Sequence, residues 1–239
     1  MRNYPWSEES VAFMIRAAER SGYHAMLAER IGASLQGTES LYEPGCGTGD
    51  LSLALSPYVA SLTAADTDPL PLQALKKRAA EKGLTNLTVL NEDAFTLPDE
   101  RLYDAAVFCF FGMPEEILAF AKAHVKKDVF VIKRAYDKHR FSLNEIPVTG
   151  DSLLKMCALL DARKVPYEKE LLEAGLGQPL KDLEEARRFF SLYSRDADGT
   201  DFTDEALLGR LIRTDNEEFP FLLPGRKEVG LIHFHAEDL

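Results

Sequence analysis

From residue 40 to about residue 135, short apolar runs alternate with helical patterns, and no other feature limits the fold as much. "SLYEP" reads as a strand and "GDLSLALSP" as a helix that stops before Pro57. "SLTAAD" is a second strand. "PLPLQALKKRAAEKG" is a helix with prolines near its start and Gly83 at its end. "NLTVLNED" is a third strand, and "YDAAVFCFFG" is an apolar run of the kind buried on both faces of a parallel sheet. "PEEILAFAKAHV" and "DVFVIKRA" add one more helix and strand. Strands separated by helices build βαβ units, and these impose a parallel sheet with right-handed crossovers.

The flanks read differently. "SEESVAFMIRAAER" at 7–20 predicts a helix capped by Ser7, and "HAMLAERIG" a second ending at Gly32. Beyond residue 136, "DSLLKMCALLDARK", "KDLEEARRFFSLYS" and "DEALLGRLIRT" predict helices. "PYEKELLEAG" predicts an exposed strand and "EVGLIHFHA" a closing one. No repeat or low-complexity linker divides the 239 residues, so one domain is expected: a helical lid at 1–35, a ligand-binding core at 36–135, and substrate-side additions with closing strands at 136–239.

The turn after the first strand, "EPGCGTGD", decides the ligand class. Strand, glycine turn and helix form the general nucleotide-binding layout, with the ligand past the carboxyl ends of the strands. The spacing is GxGxG, not the GxGxxG of pyrophosphate sites, and no Gly-Lys-Ser/Thr of a P-loop follows. Glu43 at this turn opposes a phosphate dianion and attracts an ammonium group. A nucleoside with a cationic end fits, and S-adenosylmethionine is such a molecule. Asp66 closes the second strand, where an acid can bind ribose hydroxyls, while Asp93 and Ala94 close the third, where adenine can be read.

Residues 41–135 resemble the class I S-adenosylmethionine-dependent methyltransferases. "EPGCGTG" is similar to that family's first motif, "AADTD" to its second-strand acid, "NEDAF" to its adenine motif and "YDAAVFCFFG" to its fourth-strand motif. The resemblance implies a Rossmann-like α/β fold, with a seven-stranded, mostly parallel sheet and helices on both faces, closed by an antiparallel last strand. It implies that Glu43, Gly45, Gly47, Gly49, Asp66 and Asp93 line the cofactor site. Cys46, Thr67, Ala94, Phe95 and Cys109 border them, the cysteines as a turn filler and a buried inert thiol. Tyr4, Trp6, Phe111 and Met113 are the acceptor-side candidates. No general base stands out: Asp104 starts the fourth strand at the wrong end of the sheet, and Tyr136 and His139 have only position in their favour.

A net charge of −11 repels nucleic acid and favours a neutral or cationic acceptor. No apolar run approaches the roughly 20 residues of a membrane span, and "MRNYPWSEES" lacks a leader pattern. Cys46, Cys109 and Cys157 form no CxxC, which fits a reducing cytoplasm with neither disulfides nor zinc. His233 and His235 share a strand face but have no third ligand in view, so no metal site is expected. "DADGTD" at 196–201 reads as an acidic turn before a Thr203 cap. The expected function is methyl transfer to a small molecule. The rival is a catalytically inactive S-adenosylmethionine-binding module acting through a partner; a nicotinamide oxidoreductase would need the missing GxGxxG.

Overall fold

The computed structural model describes residues 6–98, 101–150, 152–197 and 200–239. Its main sheet contains β1 (Ser40–Pro44), β2 (Ser61–Asp66), β3 (Leu87–Asn91), β4 (Tyr103–Cys109), β5 (Val125–Arg134), β6 (Glu168–Gly175) and a long closing strand (Arg226–His235), numbered β10 below. The order is β3-β2-β1-β4-β5-β10-β6. β1 to β5 run parallel, and β10 lies antiparallel between β5 and β6. The order reverses between β1 and β4, which opens a crevice at their carboxyl ends.

Helices cover both faces. On one face α2 (Tyr23–Gly32), α3 (Asp50–Leu55) and α4 (Pro69–Glu81) pack Leu27, Leu53 and Leu75 onto Leu41, Ala105 and Phe130. On the other, α5 (Pro114–His124) and α6 (Leu153–Arg163) pack Phe120 and Met156 onto Phe108 and Val131. β4 is buried along six of its seven residues, as a central parallel strand must be. The antiparallel closing strand and the strand before it match the expectation drawn from the sequence.

A third core lies above the crevice. β7 (Gln178–Leu180), β8 (Ile212–Arg213) and β9 (Phe221–Leu223) form a small antiparallel sheet in the order β7-β9-β8. α7 (Leu183–Tyr193) and α8 (Asp204–Leu208) flank it. α1 (Glu8–Glu19) joins this core: its Phe13 packs edge-on to Phe189 at 5.1 Å. Arg16 anchors the helix from below, with Nη1 donating to Glu185 Oε2 at 2.8 Å and to Pro179 O at 3.1 Å. The helix expected over "DEALLGRLIRT" stops at Leu208, and Ile212 and Arg213 pair instead with β9. Thr203 caps α8 by accepting from the Ala206 amide, while residues 198 and 199 of the acidic turn lie outside the described residues. Among the described residues no helix is long and apolar enough to cross a membrane.

Phe189 also touches Phe141 and Tyr193 at 5.1 and 4.7 Å, so Phe189→Ala removes the centre of the upper core. The expected loss is about 3–5 kcal/mol. Met113→Ala, at a site 40% exposed, is expected to stay within about 0.5 kcal/mol of wild type. Thermal and urea melts of both variants check the contrast.

Candidate active site

The crevice is built on the loop that leaves β1. Gly45 and Gly47 have φ of +68° and +52°, a conformation that L side chains rarely adopt. A Cβ on Gly45 would fall 2.1 Å from the Phe111 ring, and one on Gly47 would stand 3.1 Å from the Trp6 ring. The bare backbone therefore lets Phe111 and Trp6 close over the loop. β2 holds the loop from beside it. The Gly45 and Cys46 amides donate to Ala65 O at 2.8 and 3.1 Å, and the Gly47 amide donates to Asp66 Oδ2 at 3.0 Å. Asp66 Oδ1 accepts from the Asp68 amide, and Asp68 caps α4 by accepting from Leu70 N. From α4, Arg78 donates to Asp50 Oδ1 at 2.7 Å and to Thr48 O at 3.2 Å, which fastens the start of α3.

Glu43 lies beneath this loop, 2% exposed, and accepts a hydrogen bond from Ser52 Oγ. Burial pushes its pKa up to about 8; the Ser52 hydrogen bond opposes the shift and nearby Asp50 adds to it. Without a cation beside it, Glu43 holds its proton at neutral pH. The same burial raises the Cys109 thiol to about 12 and the Cys46 thiol well above its ordinary range, so neither is a nucleophile.

Above the loop is a cavity of about 730 Å³, in the range of small-molecule sites. Of the residues singled out from the sequence, Trp6, Glu43, Gly45, Cys46 and Gly47 form its floor and near wall. Asp66, Thr67, Cys109 and Phe111 extend that wall. The remaining candidates are arranged around it. Gly49 starts α3, and Met113 starts α5 facing solvent. Asp93 accepts from the Phe95 amide, and Ala94 O accepts from Tyr42 Oη at 3.0 Å. Phe95 stacks on Phe111 at 5.1 Å and so supports the wall from behind. Tyr4 lies outside the described residues. Asp104 accepts from the Glu39 and Ser40 amides at the amino end of β4, remote from the cavity. His139 bonds Ser142 instead of facing the cavity, whereas Tyr136 lines it.

Other residues that line the cavity were not singled out from the sequence. They include His24, Arg140, Phe141, Phe189, Tyr193 and Lys227. Lys227 Nζ stands 4.1 Å from the centre of the Phe110 ring and 4.5 Å from that of Tyr23. It has no carboxylate partner among the described residues. Burial lowers its pKa to about 8, Cys109 opposing and the Arg140 charge assisting. Phe110 itself has a φ of +54°, a strained conformation for a non-glycine residue, and its loop is held by Lys133 Nζ donating to Phe111 O and Gly112 O. Arg140 donates to Leu176 O at 2.6 Å, yet its Nε is buried without a hydrogen-bond partner among the described residues, as are Tyr23 Oη and His24 Nδ1. Burial lowers His24 to about 4, so its ring is neutral. One signal for Lys227 was available in the sequence: an antiparallel closing strand must begin beside the crevice.

Comparisons with known proteins agree with this geometry. Residues 42–128 match the methyltransferase domain family. The ubiquinone/menaquinone biosynthesis C-methyltransferase UbiE of Zymomonas mobilis is 34% identical over 74 residues, 30% of this chain and 31% of that protein. The match thus spans about a third of that curated relative. The YcgJ protein of Bacillus subtilis superimposes with a TM-score of 0.53 at 14% identity, covering 88% of this chain and 98% of that one. Magnesium protoporphyrin IX methyltransferase from Synechocystis, solved with bound S-adenosylmethionine, gives 0.51 at 12% identity, covering 98% and 88%. At such identities these two likenesses concern the fold.

The raised Glu43 pKa has a stability consequence. The folded chain keeps a proton that the unfolded chain releases near pH 4.5, so this stabilisation is complete below about pH 4.5 and is lost as pH rises through about 8. Glu43→Gln removes that dependence. The ligand-free variant is expected to melt several degrees above wild type at pH 8.5, at about 2–4 °C per kcal/mol, and close to it at pH 5. Parallel melting curves of the two proteins at both pH values would contradict the assignment.

Proposed function

We propose that this chain, a member of the class I S-adenosylmethionine-dependent methyltransferases, transfers a methyl group to a small molecule bearing an anionic group. The matched domain, the sheet order and the glycine loop place it in that family, whose cofactor is S-adenosylmethionine. The donor set fits this molecule. Glu43 suits its ammonium, Asp66 has lone pairs for ribose hydroxyls, and both line the cavity together with the glycine loop.

The observation that carries the acceptor class is that one cavity is lined by groups of both signs: the carboxylates Glu43 and Asp66 and the cations Arg140 and Lys227. The net charge of −11 pointed to a neutral or cationic acceptor. Surface charge sets the long-range field, but the cations that meet a bound ligand are local, and here neither has a carboxylate partner among the described residues. Roofing by α1, α7 and the small sheet favours a small molecule over a nucleic acid.

When bound, the cofactor supplies an electrophilic methyl group on its sulfonium. The chain's residues then supply alignment and exclusion of water. Trp6 and Phe111 cover the loop, Phe141, Phe189 and Tyr193 form an apolar roof, and Lys227 and Arg140 orient the acceptor by its anion. His24, with a pKa near 4, is a weak base. Catalysis is favoured over a binding-only module because the glycine loop and the Asp66 acid are both intact and cationic side chains also line the cavity.

The test is methyl transfer from S-adenosylmethionine to a panel of aromatic carboxylates, phosphates, amines and neutral phenols, with wild type and Lys227→Met. Turnover on anionic acceptors is expected, with KM raised about tenfold or more in the variant, the loss of one charged hydrogen bond of roughly 1.5–3 kcal/mol. Cofactor affinity should change little. Turnover confined to amines or RNA, or an unchanged KM in the variant, would refute the acceptor class.

A further inference from the structure

We infer that Asp128, His233 and His235 form a binding site for a divalent first-row transition metal at the end of the sheet opposite the cavity. The antiparallel register of β10 on β5 sets His235 opposite Asp128 and His233 opposite Phe130, so all three candidate ligands share one face. Asp128 Oδ1 lies 2.8 Å from His233 Nε2 and 3.2 Å from His235 Nδ1. One ligand atom from each residue falls within 4.8 Å of the others. Tetrahedral zinc with bonds of about 2.0–2.1 Å needs donors about 3.3 Å apart, so an ion could enter with small side-chain adjustments.

The donor chemistry is specific. Two imidazoles and one carboxylate suit zinc and its neighbours and offer little to calcium or magnesium. The Phe130 ring stacks on His233 at 4.5 Å and 11°, which fixes the imidazole plane. The His235 side chain is 53% exposed, giving an ion an entry path and leaving a coordination position to water. On the other side of β10, Glu168 of β6 stands in register with His233, so a fourth oxygen is one strand away. Arg134 at the cavity end lies six positions along β5 from Asp128, about 20 Å of strand. The site is therefore independent of methyl transfer, and its effect would be to tie the closing strand to the parallel sheet. The competing account is a carboxylate accepting a hydrogen bond from each imidazole with no ion.

Chelator-stripped, tag-free full-length protein titrated with Zn²⁺ in a calorimeter separates the two. One equivalent is expected to bind and to raise the melting temperature. His235→Gln and Asp128→Asn should each weaken binding at least about tenfold. His235→Gln, at an exposed position, keeps the test valid if Asp128→Asn folds poorly. Co²⁺ in place of Zn²⁺ should give visible bands that these substitutions abolish. Absence of saturable binding below about 100 µM, or binding that survives both substitutions, would overturn the site.

Discussion

The hydrogen bond from the Gly47 amide to Asp66 is the contact on which the cavity depends. It joins the end of β2 to a loop whose backbone occupies a conformation that L side chains rarely adopt. A charged acceptor strengthens it, and the same carboxylate holds the Asp68 amide, which begins the cap of α4. α4 in turn sends Arg78 back to Asp50 at the head of α3. The loop, two helix starts and the cavity floor are thus one network. Its bare backbone lets Trp6 and Phe111 approach from above.

The cavity is lined by groups of both charge signs, and two of them, Glu43 and Lys227, are buried without an ion-pair partner among the described residues. Glu43 is buried against a hydroxyl and keeps its proton; Lys227 is held over two aromatic rings with its pKa lowered toward neutrality. Burial of a charge without a partner is unfavourable, and both groups respond by moving toward their neutral forms. A ligand with an ammonium at one end and a partner with an anion at the other would relieve both.

Much of this was legible in the residues, and the rest was not for a physical reason. The βαβ alternation and GxGxG spacing are local patterns, so the sheet, its switch point, Glu43 and Asp66 could be placed from short windows. The upper sheet could not. Its strands have two or three residues, too few to show a period, and Ile212–Arg213 continued a helical pattern until pairing with β9 claimed it. Phe13 reads as part of an amphipathic helix, but only the fold shows that it packs against Phe189, far along the chain. Lys227 and Asp128 acquire their surroundings through the antiparallel insertion of β10, which joins segments about 100 residues apart. Asp93, Ala94 and Phe95 brace the wall through backbone bonds and ring stacking, a role their motif did not announce.

On the proposed function, Glu43 meets the cofactor's ammonium. Calorimetric titration of S-adenosylmethionine at pH 7 in two buffers of different ionisation enthalpy tests it directly. Because Glu43 is mostly protonated in the free protein and must ionise beside a cation, wild type should release close to one proton per ligand bound, and Glu43→Gln close to none. Equal proton release by the two proteins, or no binding by wild type, would contradict the account.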